Sequence, residues 1–265
     1  MKYEGVLTKM KTKIGSPIQY YLSFENDEIN VNSLLNNTVQ ITFLGQQCLN
    51  CGESKNIYRQ GSCYDCFFKM PQMGEWVIRP ELSTAHLGIE DRDLEYEKEV
   101  QLKPHIVYLA LSSNVKVGVT RKTQVPTRWI DQGASSALEI LEAPNRYLAG
   151  ITEVALKKHI SDKTNWRKML KNEIADIDLI DLRDELARYI PEEVTPYFKE
   201  SDTEVVELEY PVLQYPEKVK SLNLSKTPNF EGILKGIKGQ YLIFEDNTVF
   251  NVRSNEGSVV SFFAA

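Results

Sequence analysis

Two stretches of alternating or continuous apolar residues, separated by a short polar turn, stand out in the middle of the chain. Residues 105–111 (HIVYLAL) are almost all apolar, as in a strand that is buried on both faces. Residues 112–114 (SSN) predict a turn, and residues 115–120 (VKVGVT) then alternate with the period of a second strand. The pattern therefore predicts a hairpin, followed by a helix that begins near Arg128 and another over about 151–159.

Period-two alternation also marks both ends of the chain, where Gly, Asn and Asp interrupt it. The two ends share three short similarities: Glu4-Gly5 with Glu231-Gly232, Tyr21–Glu25 with Tyr241–Glu245, and Asn30-Val31 with Asn251-Val252. Each end predicts a meander of three or four strands, which is too few for independent stability. We therefore expect two related β-modules that pair with each other and bring the termini together. Chance similarity between two β-meanders is the alternative.

Composition and charge restrict the class of protein. A chain with 42% hydrophobic and 26% charged residues is ordinary for a soluble protein. No apolar run approaches the roughly 20 residues that span a bilayer, and the first residues lack the apolar core of a signal peptide. We therefore expect a cytoplasmic protein with no membrane partner. Because the net charge is −6, any nucleic-acid site has to be a local basic patch.

The cysteines supply the most specific motif in the sequence. Cys48 and Cys51 form one CxxC pair, and Cys63 and Cys66 form a second pair shortly after it. Two such pairs at this spacing predict a tetrahedral zinc site, and four cysteine ligands leave no open position for water, so the zinc is expected to be structural. A disulfide framework is the alternative, and the expected cytoplasmic location disfavours it.

Aromatic residues surround the predicted zinc site, and two interpretations of them stay open. They are Tyr58, Tyr64, Phe67 and Phe68. Exposed rings beside a zinc ribbon can stack on nucleic-acid bases. Alternatively, the rings form the small core that so short a module otherwise lacks.

Charge is unevenly distributed in the second half of the chain. Residues 153–171 carry a net charge of +4, whereas residues 172–210 carry −10. The basic stretch is the best candidate for a phosphate-binding face, with an ordinary solvated helix surface as the alternative. The predicted nucleic-acid-binding residues are Lys157, Lys158, Lys163, Arg167 and Lys168.

The central segment resembles the core of the GIY-YIG nuclease superfamily. "IVY" (residues 106–108) stands where the first signature strand would be, and "KVG" (residues 116–118) stands where YIG would be. An arginine and a helical glutamate follow in the expected order. The whole chain also resembles a bacterial zinc-containing family of unknown function, through the segments VYLA…KVGVT…PTRWIDQGA and TNWRKML. That second resemblance brings no established activity with it.

The GIY-YIG resemblance implies roles for individual residues. Tyr108 would activate a water molecule, Arg128 would steady the phosphate, and Glu153 would hold one divalent cation, Mg²⁺ or Mn²⁺. Two departures weaken the resemblance. Lys116 replaces the second signature tyrosine, and Arg128 follows Gly118 by about two residues more than the superfamily pattern. Lys116 can contact a phosphate, but it cannot replace a phenol as a base at neutral pH without a large pKa shift.

The alternative is that none of the three residues has a catalytic role: Tyr108 belongs to the core, Arg128 lies on the surface, and Glu153 is a solvated helix residue. We rank a zinc protein that binds nucleic acid through a GIY-YIG-like core, without proven cleavage, above two alternatives. The first alternative is a divalent-metal-dependent endonuclease that hydrolyses phosphodiesters. The second is a zinc-stabilised scaffold for protein interactions. The pattern does not distinguish DNA from RNA.

The predicted fold class is α+β, with a small GIY-YIG-like sheet and helices, a four-cysteine zinc ribbon and two related terminal β-modules. The predicted segments are an N-terminal β-module (1–45), the zinc ribbon (46–75), a connector (76–104), the GIY-YIG-like core (105–171), an acidic segment (172–210) and a C-terminal β-module (211–265).

Overall fold

The computed structural model describes residues 2–24, 27–160, 165–199 and 203–264. The chain divides into two units. Unit 1 comprises Met1–Phe68, Ile130–Gly133 and Leu208–Ala265, and unit 2 comprises Lys69–Trp129 and Ala134–Glu207. Both predicted terminal segments and all four cysteines lie in unit 1, whereas the predicted segments 46–75, 105–171 and 172–210 each contain residues of both units. The finer boundaries stay a prediction.

The described residues form a mixed α+β structure with several sheets. The strands are β1 (Lys2–Val6), β2 (Lys11–Lys13), β3 (Gln19–Phe24), β4 (Asp27–Asn30), β5 (Thr38–Gln46), β6 (His105–Leu111), β7 (Val115–Arg121), β8 (Ser136–Ala143), β9 (Val206–Glu207), β10 (Lys220–Ser221), β11 (Asn229–Lys238), β12 (Tyr241–Phe244), β13 (Thr248–Asn251) and β14 (Ser258–Ala264). The helices are α1 (Tyr64–Lys69), α2 (Leu94–Gln101), α3 (Thr127–Asp131), α4 (Arg146–Lys157), α5 (Trp166–Leu170) and α6 (Leu179–Leu186). Short 3₁₀ turns lie between them.

Strands from both ends of the chain share one sheet in unit 1. Its strand order is β1-β14-β5-β11-β12-β13-β10, and β2, β3 and β4 form a second sheet. Strand β1 pairs antiparallel with β14, and β5 pairs antiparallel with both β14 and β11. Main-chain hydrogen bonds therefore connect the first and the last strand of the chain.

The register within this sheet is symmetric between the two ends. Gly5 faces Val260 in the β1–β14 pair, and Gly232 faces Val39 in the β11–β5 pair. Within the β5–β14 pair, Val39 faces Ala264 and Phe43 faces Val260. The β1–β14 pair thus has a counterpart in the β11–β5 pair, in which an N-terminal and a C-terminal strand exchange places. Two related modules would produce this register, although their common origin stays a prediction.

The sheet of unit 2 has the order β7-β6-β8-β9, with antiparallel pairing throughout. The β6–β7 hairpin lies at the predicted position and joins His105 to Arg121 at its open end. Strand β8 was not predicted. The helix expected over about 151–159 instead begins at Arg146, because the Asn145 side chain accepts a hydrogen bond from the Leu148 N–H at 2.9 Å and caps it.

All seven residues of β6 are buried, and its two faces contact different parts of unit 2. One face contributes to a core that includes α4, through Val107, Leu109, Leu111, Val115, Val117, Ala149 and Leu156. Because successive side chains point to opposite faces, Tyr108 lies on the other face. There it faces Gly118, where a Cβ atom would come within 2.6 Å of the Tyr108 ring, and it packs on Trp129 at 5.9 Å between ring centroids.

Candidate functional site

The four cysteines form one cluster. Their Sγ atoms all lie within 4.8 Å of one another, and none of the four is in a disulfide. Two glycines near the cluster adopt left-handed backbone conformations, Gly52 at φ 71° and Gly61 at φ 70°. At these angles a side chain would be strained, which favours glycine. The Gly52 N–H donates to the Cys48 carbonyl at 2.9 Å and closes the first CxxC turn.

The electrostatics around Cys48 favour a thiolate. Burial alone would raise the pKa of this thiol, but nearby backbone N–H groups, including that of Cys63 at 3.2 Å from Sγ, outweigh burial and lower the pKa to about 6. Thiolates are the form of cysteine that binds metal. Four sulfur atoms at a Zn–S distance of about 2.3 Å would lie roughly 3.8 Å apart, which the observed cluster accommodates. The four cysteines can therefore hold a metal ion such as zinc.

The aromatic residues beside the cysteines pack on one another. Tyr58 lies 5.3 Å from Tyr64 and 5.2 Å from Phe67 between ring centroids, and Tyr64 lies 4.7 Å from Phe68. This arrangement provides the small aromatic core that so short a module needs. Tyr64 nevertheless keeps 62% of its surface exposed.

The predicted catalytic residues do not all lie on one side of the sheet. Tyr108 and Lys116 share the face that carries Gly118, and Tyr108 is only 1% exposed. Glu153 belongs to α4, which packs on the opposite face through Ala149 and Leu156. Strands β6 and β7 therefore separate the Tyr108 phenol from the Glu153 carboxylate.

Arg128 and Glu153, in contrast, lie near a common third residue, Arg146. Burial lowers the pKa of Arg146 to about 10, the Glu153 carboxylate opposes this change, and the charges of Arg121 and Arg128 add to it. Since charges act on a pKa only at short range, these side chains occupy one region of unit 2. We call Arg121, Arg128 and Arg146 the arginine cluster.

Arg146 is held in place by the backbone of a preceding turn. Its Nε donates to the Trp76 carbonyl at 3.1 Å, and its Nη2 donates to the Val77 carbonyl at 2.8 Å. Gly150 allows α4 to approach this region closely, because a Cβ atom there would come within 2.3 Å of the Glu81 backbone nitrogen. The absence of a side chain at Gly150 therefore lets α4, the helix that carries Arg146, pack closely against the 3₁₀ turn at Pro80–Leu82.

Burial also affects Glu153. It raises the pKa of this carboxyl, while Lys157 and Arg146 oppose the rise, and the Lys157 Nζ lies 3.1 Å from Glu153 Oε1. Among the described residues, no group of three metal-ligating side chains includes Glu153. Mg²⁺ or Mn²⁺ binding at this residue stays a prediction.

The predicted basic face is exposed where the structure describes it. Lys157, Lys158, Arg167 and Lys168 are all exposed, and the Arg167 guanidinium lies 4.3 Å from the centre of the Trp166 ring. Lys163 lies outside the described residues. Their role in nucleic-acid binding stays a prediction.

Sequence reasoning missed two members of the arginine cluster, Arg121 and Arg146. His105 is the cross-strand partner of Arg121, so extending the predicted second strand by one residue, from Thr120 to Arg121, would have paired them. His105 is fully buried, and its Nδ1 lies 2.7 Å from the Lys103 carbonyl. Burial, together with the charges of Arg146 and Arg121, lowers the pKa of His105 to about 4.

The comparisons with known proteins identify the family but no activity. The family described as "Protein of unknown function (DUF2797)" matches residues 36–260. This chain belongs to that family, which confirms the predicted membership of a family of unknown function, whereas a relationship to GIY-YIG nucleases stays a prediction. No curated protein and no solved structure matches the chain. None of the helices in the described part of the chain has the length and apolar character needed to cross a bilayer.

We predict that the purified chain contains one zinc ion and that Cys63→Ser loses most of it, because a hydroxyl does not replace a thiolate ligand. Metal analysis measures the content, and a thiol reagent should modify all four cysteines only after the metal is removed. Acidification should release the ion, since protons compete for the thiolates. Ser225→Ala, at an exposed serine of unit 1, is the control. A metal-free chain with four reactive thiols would contradict the assignment.

We predict that His105 makes unit 2 sensitive to acid. An unfolded histidine has a pKa of about 6.5, whereas the pKa of folded His105 is about 4, so the unfolded chain binds the proton first. As pH falls from 6.5 to 4, up to about 3 kcal/mol of stability should be lost. Denaturant unfolding between pH 7 and 4 should therefore show a shallower decline for His105→Gln.

The exposed His86 of the same unit supplies the control for this measurement. The His86→Gln variant should follow the pH dependence of the unchanged protein. Equal pH dependence for His105→Gln and the unchanged protein would show that His105 is not buried in its neutral form.

Proposed function

We propose that this protein binds nucleic acid through the arginine cluster of unit 2 without cutting it, and that a zinc ion stabilises its four-cysteine segment. One observation supports this most strongly. The charges of Arg121 and Arg128, which come from separate elements, both lower the pKa of the buried Arg146, and the carboxylates of Glu153 and Glu81 that oppose them have other cationic partners. Glu153 pairs with Lys157 at 3.1 Å, and Glu81 pairs with Arg79 at 3.2 Å.

The arginines differ in their availability. The guanidinium of Arg146 donates to two backbone carbonyls and is buried. Arg121 and Arg128 are half-buried, and neither guanidinium has a hydrogen bond or an ion pair to any of the residues that the structure describes. A guanidinium is always charged and presents a planar set of donors that matches the oxygens of a phosphate. Arg121 and Arg128 are therefore the proposed phosphate ligands.

Four exposed basic residues predicted from the sequence would extend the proposed surface. Exposed Lys157 and Lys158 lie at the carboxyl end of α4, the helix that carries Arg146 at its start. Arg167 and Lys168 follow on α5. In a chain of net charge −6, such a local patch is what attracts a polyanion.

Cleavage is less well supported than binding. A general base has to reach the proton that it removes, yet Tyr108 is 1% exposed and lies across the sheet from Glu153. Lys116 also stands where the resemblance would place a second phenol. We therefore rank binding without cleavage above the endonuclease.

The binding test uses short single-stranded and duplex oligonucleotides over a range of salt concentrations. Arg121→Ala and Arg128→Ala should each weaken binding about tenfold, which corresponds to about 1.4 kcal/mol. Each should also reduce the slope of log K against log salt by roughly 0.7–0.9, because one phosphate contact is lost.

Arg188→Ala is the matched control, since Arg188 is exposed, lies in the same unit and pairs with Glu185 at 3.2 Å. It should bind as the unchanged protein does. If no oligonucleotide binds with a salt dependence, the proposed function is wrong, and a role in protein interactions becomes the better interpretation.

A further inference from the structure

A polar cleft in unit 1 is separate from the arginine cluster. Its volume is about 610 Å³, within the range of roughly 300–1,000 Å³ of small-molecule sites. Three segments line it: residues 57–61 of the four-cysteine segment, residues 221–225, and Asn251 at the end of β13 with residues 253–256 after it. Phe43 and Gln46 of β5 also line it.

Hydrogen bonds hold these walls in place. Gln46 Oε1 accepts from the Ile57 N–H at 3.1 Å, which fastens the four-cysteine segment to β5. Asn223 Oδ1 accepts from the Ser225 N–H at 2.9 Å, and Asn251 Oδ1 accepts from the Ser254 N–H at 3.0 Å. A site whose walls are held by its own hydrogen bonds loses little entropy when a ligand binds.

We infer that this cleft binds a nucleotide, either free or as one residue of a single strand. Three kinds of side chain in the lining support this ligand class. They are aromatic rings, side-chain amides and guanidinium groups, which complement a base face, a base edge and a phosphate respectively.

The aromatic component comes from Phe43 and Tyr58. Tyr58 is 44% exposed, and the Arg59 guanidinium lies over its ring at 5.3 Å from the centroid. A tyrosine ring and an arginine plane both stack on bases of any sequence. Tyr58 and Arg59 therefore contribute groups that can stack on a base to the lining of the cleft.

The amide component can recognise the edge of a base. Within the described part of the chain, Gln46 Nε2, Asn223 Nδ2 and both side-chain amide atoms of Gln60 have no hydrogen-bond partner. Asn and Gln amides pair with bases through a donor and an acceptor together. The lining can therefore supply both kinds of group.

The charges at the cleft favour an anionic group. Arg59 and Arg253 line it together with a single carboxylate, that of Glu256. Glu256 Oε1 already accepts from the Lys9 N–H at 3.0 Å, and the Arg253 Nη1 lies 3.8 Å from Asp131 Oδ2. Among the described residues, Arg59 has no ion-pair partner and is the proposed phosphate ligand.

Calorimetry on the zinc-loaded full chain tests this proposal. The probes are AMP, GMP, CMP, UMP, inorganic phosphate and an eight-residue single-stranded oligonucleotide. At least one mononucleotide, or the oligonucleotide, should bind with one site per chain and at least tenfold more tightly than inorganic phosphate. Arg59→Ala should weaken this binding at least tenfold, and so should Ser225→Trp, which places an indole in the cleft from an exposed position.

The control is Arg188→Ala, because the Arg188 guanidinium also lies over a neighbouring tyrosine ring, at 4.9 Å from the Tyr189 centroid. Zinc content and the unfolding midpoint should stay unchanged in the Arg59 and Ser225 variants. Tighter binding of the mononucleotide would identify free nucleotide as the ligand, and tighter binding of the oligonucleotide would identify a strand. Both outcomes support the site.

The proposal is overturned if none of these probes binds in a way that depends on Arg59 and Ser225. This outcome is distinct from failure of the proposed function. If binding depends on Arg121 and Arg128 alone, the arginine cluster is a binding site and the cleft is not. If binding depends on Arg59 and Ser225 alone, the cleft is a binding site and the arginine cluster is not.

Discussion

The burial of β6 on both faces is the constraint on which unit 2 depends. Its seven residues contact neighbours above and below the sheet, so each side chain is assigned to a face by its position alone. A shift of register by one residue would exchange the two faces and break both cores. The register of β6 therefore determines which side chains of unit 2 lie on the same face of the sheet. His105 and Arg121 lie on the α4 face, whereas Tyr108 and Gly118 lie on the other.

The two resemblances differ in what supports them. The family of unknown function matches nearly the whole chain, so membership is established. The GIY-YIG pattern concerns the order of a few residues along the chain. Order alone does not bring side chains together, and here Tyr108 packs on Trp129 while Glu153 lies beside Arg146. An arrangement that favours holding a phosphate need not supply the base for its hydrolysis.

Parts of the fold were predictable because their signals are local. Alternation predicted the β6–β7 hairpin, and spacing predicted the four-cysteine cluster. Strand β8 was missed because SALEILEA is rich in Ala, Leu and Glu, which favour helices when considered alone. Pairing with β6 on one side and β9 on the other overrides that preference. The start of α4 did carry a local signal, the capping residue Asn145.

The candidate site was less predictable, because it depends on contacts between distant segments. Arg121, Arg128 and Arg146 come from a strand end and two helices. The turn at residues 76–77 fixes Arg146, and no spacing rule connects it to that turn. The cleft of unit 1 likewise joins residues from both ends of the chain, which the pairing of β5 with β14 and of β10 with β13 brings together.

The sheet separates the Tyr108 phenol from the Glu153 carboxylate, and on this basis we propose that the protein binds nucleic acid without cutting it. The most direct measurement incubates the full chain with single-stranded, duplex and branched substrates in the presence of Mn²⁺ and follows strand scission. The account predicts intact substrates for the unchanged protein. Scission that is lost in both Tyr108→Phe and Glu153→Ala would contradict it.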